Sequence, residues 1–327
     1  MKLSFTFILI FTVLFCHAQK PIKEKAQNYY YYKKDGRTAV SSADSAEIIQ
    51  VIAEPDSGSE LYGVQEFYKN KKLKFTGQSS DIHPIRLEGQ SISYYPNGRK
   101  NLIAFYKSNC AKGDSYQYYP NCKPYIVMSY FFRDSINHSM ADSSFKSAYD
   151  STGKAIVENG NGYFKRYNGD FNKIIEQGQV KDGKQQGEWK GYNSYIRVSF
   201  IEKYTNGKLI EGNSVDSVGT RYSYNVRNKP AEYKTGITGF GRLLSTNVVY
   251  PRQSREAGHQ GKVVYQFVIS PEGKPRGFKL LTSLDRYADA EALRVLELMP
   301  NWIPGEYYGK RTSTSYSVPI SFVFQGR

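Results

Sequence analysis

Apolar and polar residues alternate at period two over Tyr316, Val318, Ile320, Phe322 and Phe324, the pattern of a strand with one buried face. Val263 to Ile269 alternates in the same way, a turn follows at Ser270-Pro271-Glu272-Gly273, and a second strand is predicted near Phe278 to Thr282. Serine, proline and glycine at positions one, two and four of that turn fit type I geometry. Between the second and third strands the period becomes helical from about Tyr287 to Met299. There Ala292, Val295, Leu296 and Met299 share a stripe, with Glu291, Arg294 and Glu297 largely off it, and Pro300 ends the helix. Before the first strand, Pro251 suits the first position of a short helix that Gly258 closes in the left-handed conformation. Trp302 is expected to pack beneath the long helix. The pattern predicts an α+β domain over residues 240–327, a three-stranded antiparallel sheet with two helices.

Upstream, a short unit of aromatic pair, turn and basic residue recurs. Its copies are Phe67-Tyr68-Lys69-Asn70-Lys71, Tyr94-Tyr95-Pro96-Asn97-Gly98, Tyr118-Tyr119-Pro120-Asn121-Cys122 and Tyr204-Thr205-Asn206-Gly207-Lys208. The first three lie 26 and 24 residues apart (94−68 and 118−94). An aromatic run ending in Asn-Gly signals a hairpin whose two central turn residues both take positive φ. The units resemble MORN-type repeats, short hairpins stacked into an extended sheet. They predict a β-meander over roughly 60–235 within a mainly-β region 19–239, with another turn at Asp182-Gly183-Lys184 and Trp189 in the strand after it. Tyr29 to Tyr32 is predicted as a strand; Ser42 to Ala53 is a short helix or a strand, and periodicity does not choose. Tyrosine suits a half-buried pleated face, and a carbohydrate- or peptide-binding face is the alternative use.

Lys2 precedes an uncharged run from Leu3 to Phe15, followed by Cys16-His17-Ala18 and then polar Gln19-Lys20. The run is short for a membrane span of roughly twenty residues and suits the core of a signal peptide, residues 1–18, cleaved after Ala18. An uncleaved membrane anchor and a lipoprotein acylated at Cys16 are the alternatives.

The C-terminal quarter resembles the C-terminal domain of TonB-family energy transducers. The resemblance rests on Tyr250-Pro251, Ala257-Gly258, Gly261-Lys262-Val263, Phe267-Val268-Ile269, Gly273, Ser283, Ala288-Asp289, Ala292-Leu293, Pro300, Trp302, Pro304-Gly305, Gly309 and Pro319-Ile320 with Phe322. It implies a periplasmic module that grips a short segment of an outer-membrane TonB-dependent receptor. Pro319 cannot donate to a ladder, so its strand is expected at the sheet edge or bulged. An edge accepts an extended peptide as an added strand, which is the recognition mode implied by the resemblance. Ser315, Tyr316, Ser317, Val318, Ile320, Ser321 and Phe322 are the partner-binding candidates; the alternative is that Pro319 merely blunts the edge. The resemblance also implies inner-membrane proton-driven motor subunits as partners. The family's longer N-terminal membrane helix and proline-rich spacer are not visible here, however, and a chain without a spanning helix has no direct hold on that motor.

The net charge of +15 is spread along the chain with acids interspersed. With export it points to solubility and anionic envelope surfaces rather than to nucleic acid. Cys110 and Cys122 invite a disulfide in an exported chain, yet consecutive turns of a meander lie at opposite ends of a strand, so the pairing stays open. His83, His138 and His259 lack metal-ligand spacing partners. No nucleophile elbow, phosphate loop or paired-carboxylate motif is present, so no catalytic, cofactor or metal residue is assigned and binding, not catalysis, is expected. A structural envelope protein with no part in receptor energisation is the second reading. Mass spectrometry of the chain from fractionated cells is expected to find a mature terminus at Gln19; an intact Met1 in the inner membrane or a diacylated Cys16 would overturn that expectation.

Overall fold

The computed structural model describes residues 26–36, 38–132 and 141–324. The predicted signal peptide with Cys16, and also His138, lie outside them. From Gln27 to Tyr224 the chain is an antiparallel meander of seventeen strands among the described residues. Two compact units divide the chain: residues 1–122 with Tyr130–Asp142, and Lys123–Ser129 with Ser143–Arg327.

In the first unit, strands Ile48–Ala53, Tyr62–Tyr68, Leu73–Ile82, Ile85–Tyr94 and Lys100–Lys107 each pair with the next. Strand Gln27–Tyr32 pairs with Ile48–Ala53, whose buried Ile48, Val51 and Ile52 make the 42–53 segment a strand at its C-terminal end. The repeated aromatic units sit at the turns, which are of two kinds. In three of them the fourth residue donates its N–H back to the first: Lys71 to Tyr68 (2.8 Å), Gly98 to Tyr95 (2.8 Å) and Cys122 to Tyr119 (2.9 Å). Only that fourth residue has positive φ, at 62°, 88° and 72°. Pro96 has no N–H to close the narrow pair around a two-residue turn at Asn97-Gly98, and its fixed φ suits the second position of the four-residue turn formed instead, as does that of Pro120 in its own turn. A register shift at Ser93/Tyr94 accompanies the change. Asn206-Gly207 has no such proline and adopts the expected form, with φ of 49° and 76°, as do Asp182-Gly183 at 49° and 75°.

Successive repeats are bound by the same three donors. The Tyr68 hydroxyl donates to the Tyr94 carbonyl (2.7 Å) and Tyr95 to that of Tyr118 (2.6 Å). The Asn70 side chain donates to the Pro96 carbonyl and Asn97 to that of Pro120, both at 3.2 Å. Lys72 reaches the Asn97 carbonyl (3.3 Å) and Arg99 that of Pro120 (3.1 Å). The repeated tyrosine, asparagine and basic residue thus tie each turn to the next one. Cys110 is half-buried, Cys122 is exposed, and the two are not bridged.

In the second unit the meander closes around Trp189, which is fully buried in the strand Lys184–Asn193. Its indole lies across Gly178 on the partner strand, where a Cβ would come within 2.3 Å of the ring. Its Nε1 donates to the Gln179 carbonyl (2.9 Å), and the rings of Phe145, Phe164 and Tyr204 surround it.

The C-terminal part of this unit has a three-stranded sheet with Gly261–Ile269 in the centre, Pro275–Thr282 on one side and Thr314–Phe322 on the other. The predicted turn is present, with the Gly273 N–H donating to Ser270 (2.8 Å). The long helix is Arg286–Glu297, and Asp285 caps it by accepting from the N–H groups of Tyr287 and Ala288. Its predicted stripe is buried: Ala292, Val295 and Leu296, with Met299 just past its end. The short helix is Arg252–Glu256, so Pro251 precedes the first helical residue as its N-cap, with ψ of 136°.

A third helix, Gly236–Asn247, adds to the two that were predicted. Three glycines and no side-chain cap give it little intrinsic propensity, and it is held by tertiary packing of Phe240, Leu243 and Leu244. This helix supplies a neighbour for Trp302, whose ring meets Tyr233 and Phe240 at 5.4 Å, Tyr316 at 5.1 Å and Phe267 at 6.0 Å. The core therefore reaches upstream to Ala231 and Tyr233. The Trp302 backbone N–H donates to the Gly273 carbonyl (2.7 Å), and a Cβ on Gly273 would approach the Trp302 carbonyl oxygen to 2.1 Å. Trp302→Ala is expected to destabilise the protein by about 3–5 kcal/mol, as loss of a large core aromatic does. Chemical denaturation measures this, and an unchanged midpoint would contradict the packing.

Candidate functional site

Strand Thr314–Phe322 pairs with Gly261–Ile269 in unbroken register, from Thr314 opposite Ile269 to Phe322 opposite Gly261. It ends its sheet, so among the described residues no strand pairs with its other flank. The opposite edge, Pro275–Thr282, is different: two register shifts break its pairing with the central strand. Bulges of this kind blunt an edge. Of the two edges, Thr314–Phe322 is the one in regular register.

The alternation predicted from sequence sorts the candidate residues by face. Val318, Ile320 and Phe322 are buried in the core, and Tyr316 is half-buried with its hydroxyl donating to the Ala231 carbonyl. Ser315, Ser317 and Ser321 are exposed together with Pro319. All seven candidates share one strand, but four side chains are engaged inward. What the edge offers a partner is main chain and serine hydroxyls.

Pro319 lies opposite Val264 with no register shift. In an antiparallel ladder the positions alternate between pairs that exchange hydrogen bonds and pairs that do not. A proline lacking its N–H fits the second kind, in which backbone groups point away from the partner strand. By the same alternation the backbones of Ser315, Ser317 and Ser321 face the unpaired flank. The edge therefore presents N–H donors at these three serines and a carbonyl without its donor at Pro319.

The hairpin of strands Gly305–Tyr307 and Lys310–Thr312 leads directly into this edge strand. Strand Asn228–Lys229 pairs with its first arm. At its tip Tyr308 takes φ of 53°, a strained value for a bulky residue, and Gly309 follows at 77°. Packing and hydrogen bonds hold it there. The Tyr308 ring lies 4.7 Å from Phe200 and 5.7 Å from Tyr224. Its N–H donates to the Arg227 carbonyl (2.7 Å), and its own carbonyl accepts from Ser214 Oγ (2.7 Å). Lys310 pairs with Asp216 at 3.1 Å. For Asp216, burial opposes the charge, but hydrogen bonds from Lys310, Tyr222 and the Thr220 and Val218 N–H groups bring the carboxyl down to about 2.

Beneath the hairpin lies an ion cluster. Glu202, only 1 % exposed, accepts from Arg227 Nε at 2.8 and 2.9 Å and is also bonded by Nη2. Arg227 Nη2 reaches Glu176 at 2.7 Å. The hydroxyls of Tyr204 (3.1 Å) and Tyr224 (2.9 Å) complete the shell of Glu202. The guanidinium lies over the rings of Phe200 (5.2 Å) and Tyr308 (5.3 Å). Burial works against the charge of Arg227, but hydrogen bonds and attraction from Glu202 and Glu176 more than offset it and hold the arginine charged. Burial, then the Glu202 charge, drives the Tyr224 hydroxyl upward, and burial lifts Tyr308 to about 12 against the opposing pull of Arg227.

Sequence reading missed this cluster. Its signal is present in Val198–Thr205, where Val198, Phe200, Glu202 and Tyr204 occupy the buried alternate positions. A glutamate in an inward series is a charge that must find a partner.

His83 is exposed, with its ring edge-on to Tyr30 at 6.4 Å, and His259 Nδ1 lies 2.9 Å from Asp285 Oδ2. Among the described residues there is no group of three or more His, Cys, Asp or Glu side chains placed to hold a metal ion. No helix among them is long and apolar enough to cross a membrane.

Residues 246–324 match the family model of the Gram-negative bacterial TonB protein C-terminal. The sheet with its edge strand and the helices Arg252–Glu256 and Arg286–Glu297 are thus a TonB C-terminal domain, which supports a TonB-like role in transport. The match does not reach the stacked hairpins. No curated protein matches the chain.

Arg227→Met would leave the buried Glu202 carboxylate without its cation, while Glu176 keeps Arg166 at 3.6 Å. It is expected to cost about 3–5 kcal/mol, the range for breaking a buried pair, and denaturant titration against wild type checks the loss.

Proposed function

We propose that this chain is a periplasmic TonB-like binding protein that takes up an extended segment of an outer-membrane TonB-dependent receptor as an added strand along Ser315–Phe322. In doing so it supports energy-coupled transport across the outer membrane. The observation that carries the reading is the in-register edge of a TonB C-terminal domain, unpaired among the described residues, with Ser315, Ser317, Pro319 and Ser321 exposed along it. Main-chain bonds supply affinity in such a mode, and neighbouring side chains set the register. The protein acts by binding and performs no catalysis. Coupling to an inner-membrane proton-driven motor requires either a tether on this chain or a tethered partner.

A structural envelope protein is the second reading. The observation in its favour is the hairpin Gly305–Thr312, locked over Arg227 and Glu202, which makes the C-terminal domain and the adjoining meander one packed body within their unit.

Titrating the full chain with peptides from the plug-proximal ends of outer-membrane receptors separates the two, with backbone amides of Ser315–Phe322 as the readout. Ser317→Pro removes one outward donor while Ser317→Ala keeps it. The proline variant is expected to bind about fivefold more weakly, the equivalent of about 1 kcal/mol for one hydrogen bond, and the alanine variant as wild type. Absence of amide shifts in this strand, or equal binding by both variants, would remove strand addition and leave the structural reading.

A further inference from the structure

The first compact unit carries a cavity of about 400 Å³ on one face of its sheet, far in sequence from the TonB C-terminal domain. Its polar floor follows from the strand register. Gln50 lies opposite Glu66, Glu66 opposite Phe75, and Phe75 opposite Ser93, so these residues form a row across four strands. Half-buried Tyr68 and Tyr94 also line the cavity. A second cavity of about 310 Å³ shares Gln50 and Ile85 with the first and continues past Tyr30 and Tyr32. The two adjoin at Gln50 and Ile85, and the first, a trough, has the size that takes small ligands.

The lining of the trough mixes apolar Val64, Phe75 and Leu87 with polar Gln50, Ser93 and Asn101, and it carries no net charge. Glu66 is the only acidic residue lining it among the described residues, and it is held by Lys74 on one oxygen and by Gln50 Nε2 at 3.1 Å on the other. Asn101 lines the same cavity, and its Oδ1 is buried with no hydrogen-bond partner. An unmet buried acceptor is costly, and a ligand hydroxyl would supply the donor that it lacks. Tyr68, Phe75 and Tyr94 add aromatic surface around these groups.

We propose that this trough binds a neutral oligosaccharide. The neutralised Glu66–Lys74 pair gives no selection for a charged ligand. Sugar hydroxyls donate and accept together, which suits Asn101, Gln50 and Ser93, and the flat apolar face of a pyranose stacks on an aromatic ring. An extended peptide draws its affinity from main-chain bonds at a sheet edge. The strands flanking this cavity are already paired on both sides, so only side chains are on offer. The site is independent of strand addition at Ser315–Phe322, and neither proposal stands or falls with the other.

The full chain titrated with cellotriose, chitotriose and mannotriose, with tetra-alanine as the peptide control, tests the proposal by calorimetry and by the amide signals of Phe75 and Asn101. At least one trisaccharide is expected to bind with shifts at both residues. Asn101→Ala and Phe75→Leu are each expected to weaken it roughly three- to tenfold, the worth of one hydrogen bond or one aromatic contact. Circular dichroism monitors folding, and Ser93→Val replaces either variant that lowers the folded fraction. Absence of binding by all three sugars, binding indifferent to these substitutions, or preference for tetra-alanine would overturn it.

Discussion

The buried pair of Glu202 and Arg227 is the interaction on which the C-terminal half is built. A carboxylate that is 1 % exposed is tolerable only with its charge met and its lone pairs occupied, and here one arginine and two tyrosine hydroxyls do both. Arg227 belongs to the segment between the last meander strand and the first helix, while Tyr308, stacked on its guanidinium, belongs to the hairpin before the edge strand. One cation therefore orients three stretches of chain far apart in sequence. The edge strand inherits its position from that arrangement, since it continues from the hairpin after a single residue, Ser313.

The elements legible in the sequence were those whose patterns are local. Period-two alternation placed Gly261–Ile269 and Thr314–Phe322, and a helical stripe ended by Pro300 placed Arg286–Glu297, because burial of one face leaves its period in the residues themselves. The helix Gly236–Asn247 left no such trace. Its glycine-rich start argues against a helix, and Phe240 is its only fully buried residue, so the reason for its existence lies in Trp302 and Tyr233. Turn chemistry was legible where Asn-Gly stood alone and misleading where a proline preceded it, as at Pro96, which has no N–H to close the tighter turn.

The candidate edge was readable as a strand, and Pro319 marked it as either terminal in the sheet or bulged. Alternation alone did not separate residues that face a partner from residues that fill the core. Val318, Ile320 and Phe322 are needed inside for the same reason that made the strand visible. The ion cluster and the trough around Asn101 were hidden for the opposite reason: each gathers residues from several strands, and only the register brings them together.

The bonds that join the aromatic turns have a further consequence. Each tyrosine, asparagine and basic residue reaches the adjacent turn and goes no further, so a hairpin interacts with its nearest neighbours and not with the array as a whole. Such an assembly behaves as a one-dimensional chain of coupled units, with cooperativity set by each interface. Its length is then quantised. Whole repeats can be gained or lost in evolution with every surviving junction chemically unchanged, whereas an insertion of half a repeat would put a donor where the next turn needs an acceptor.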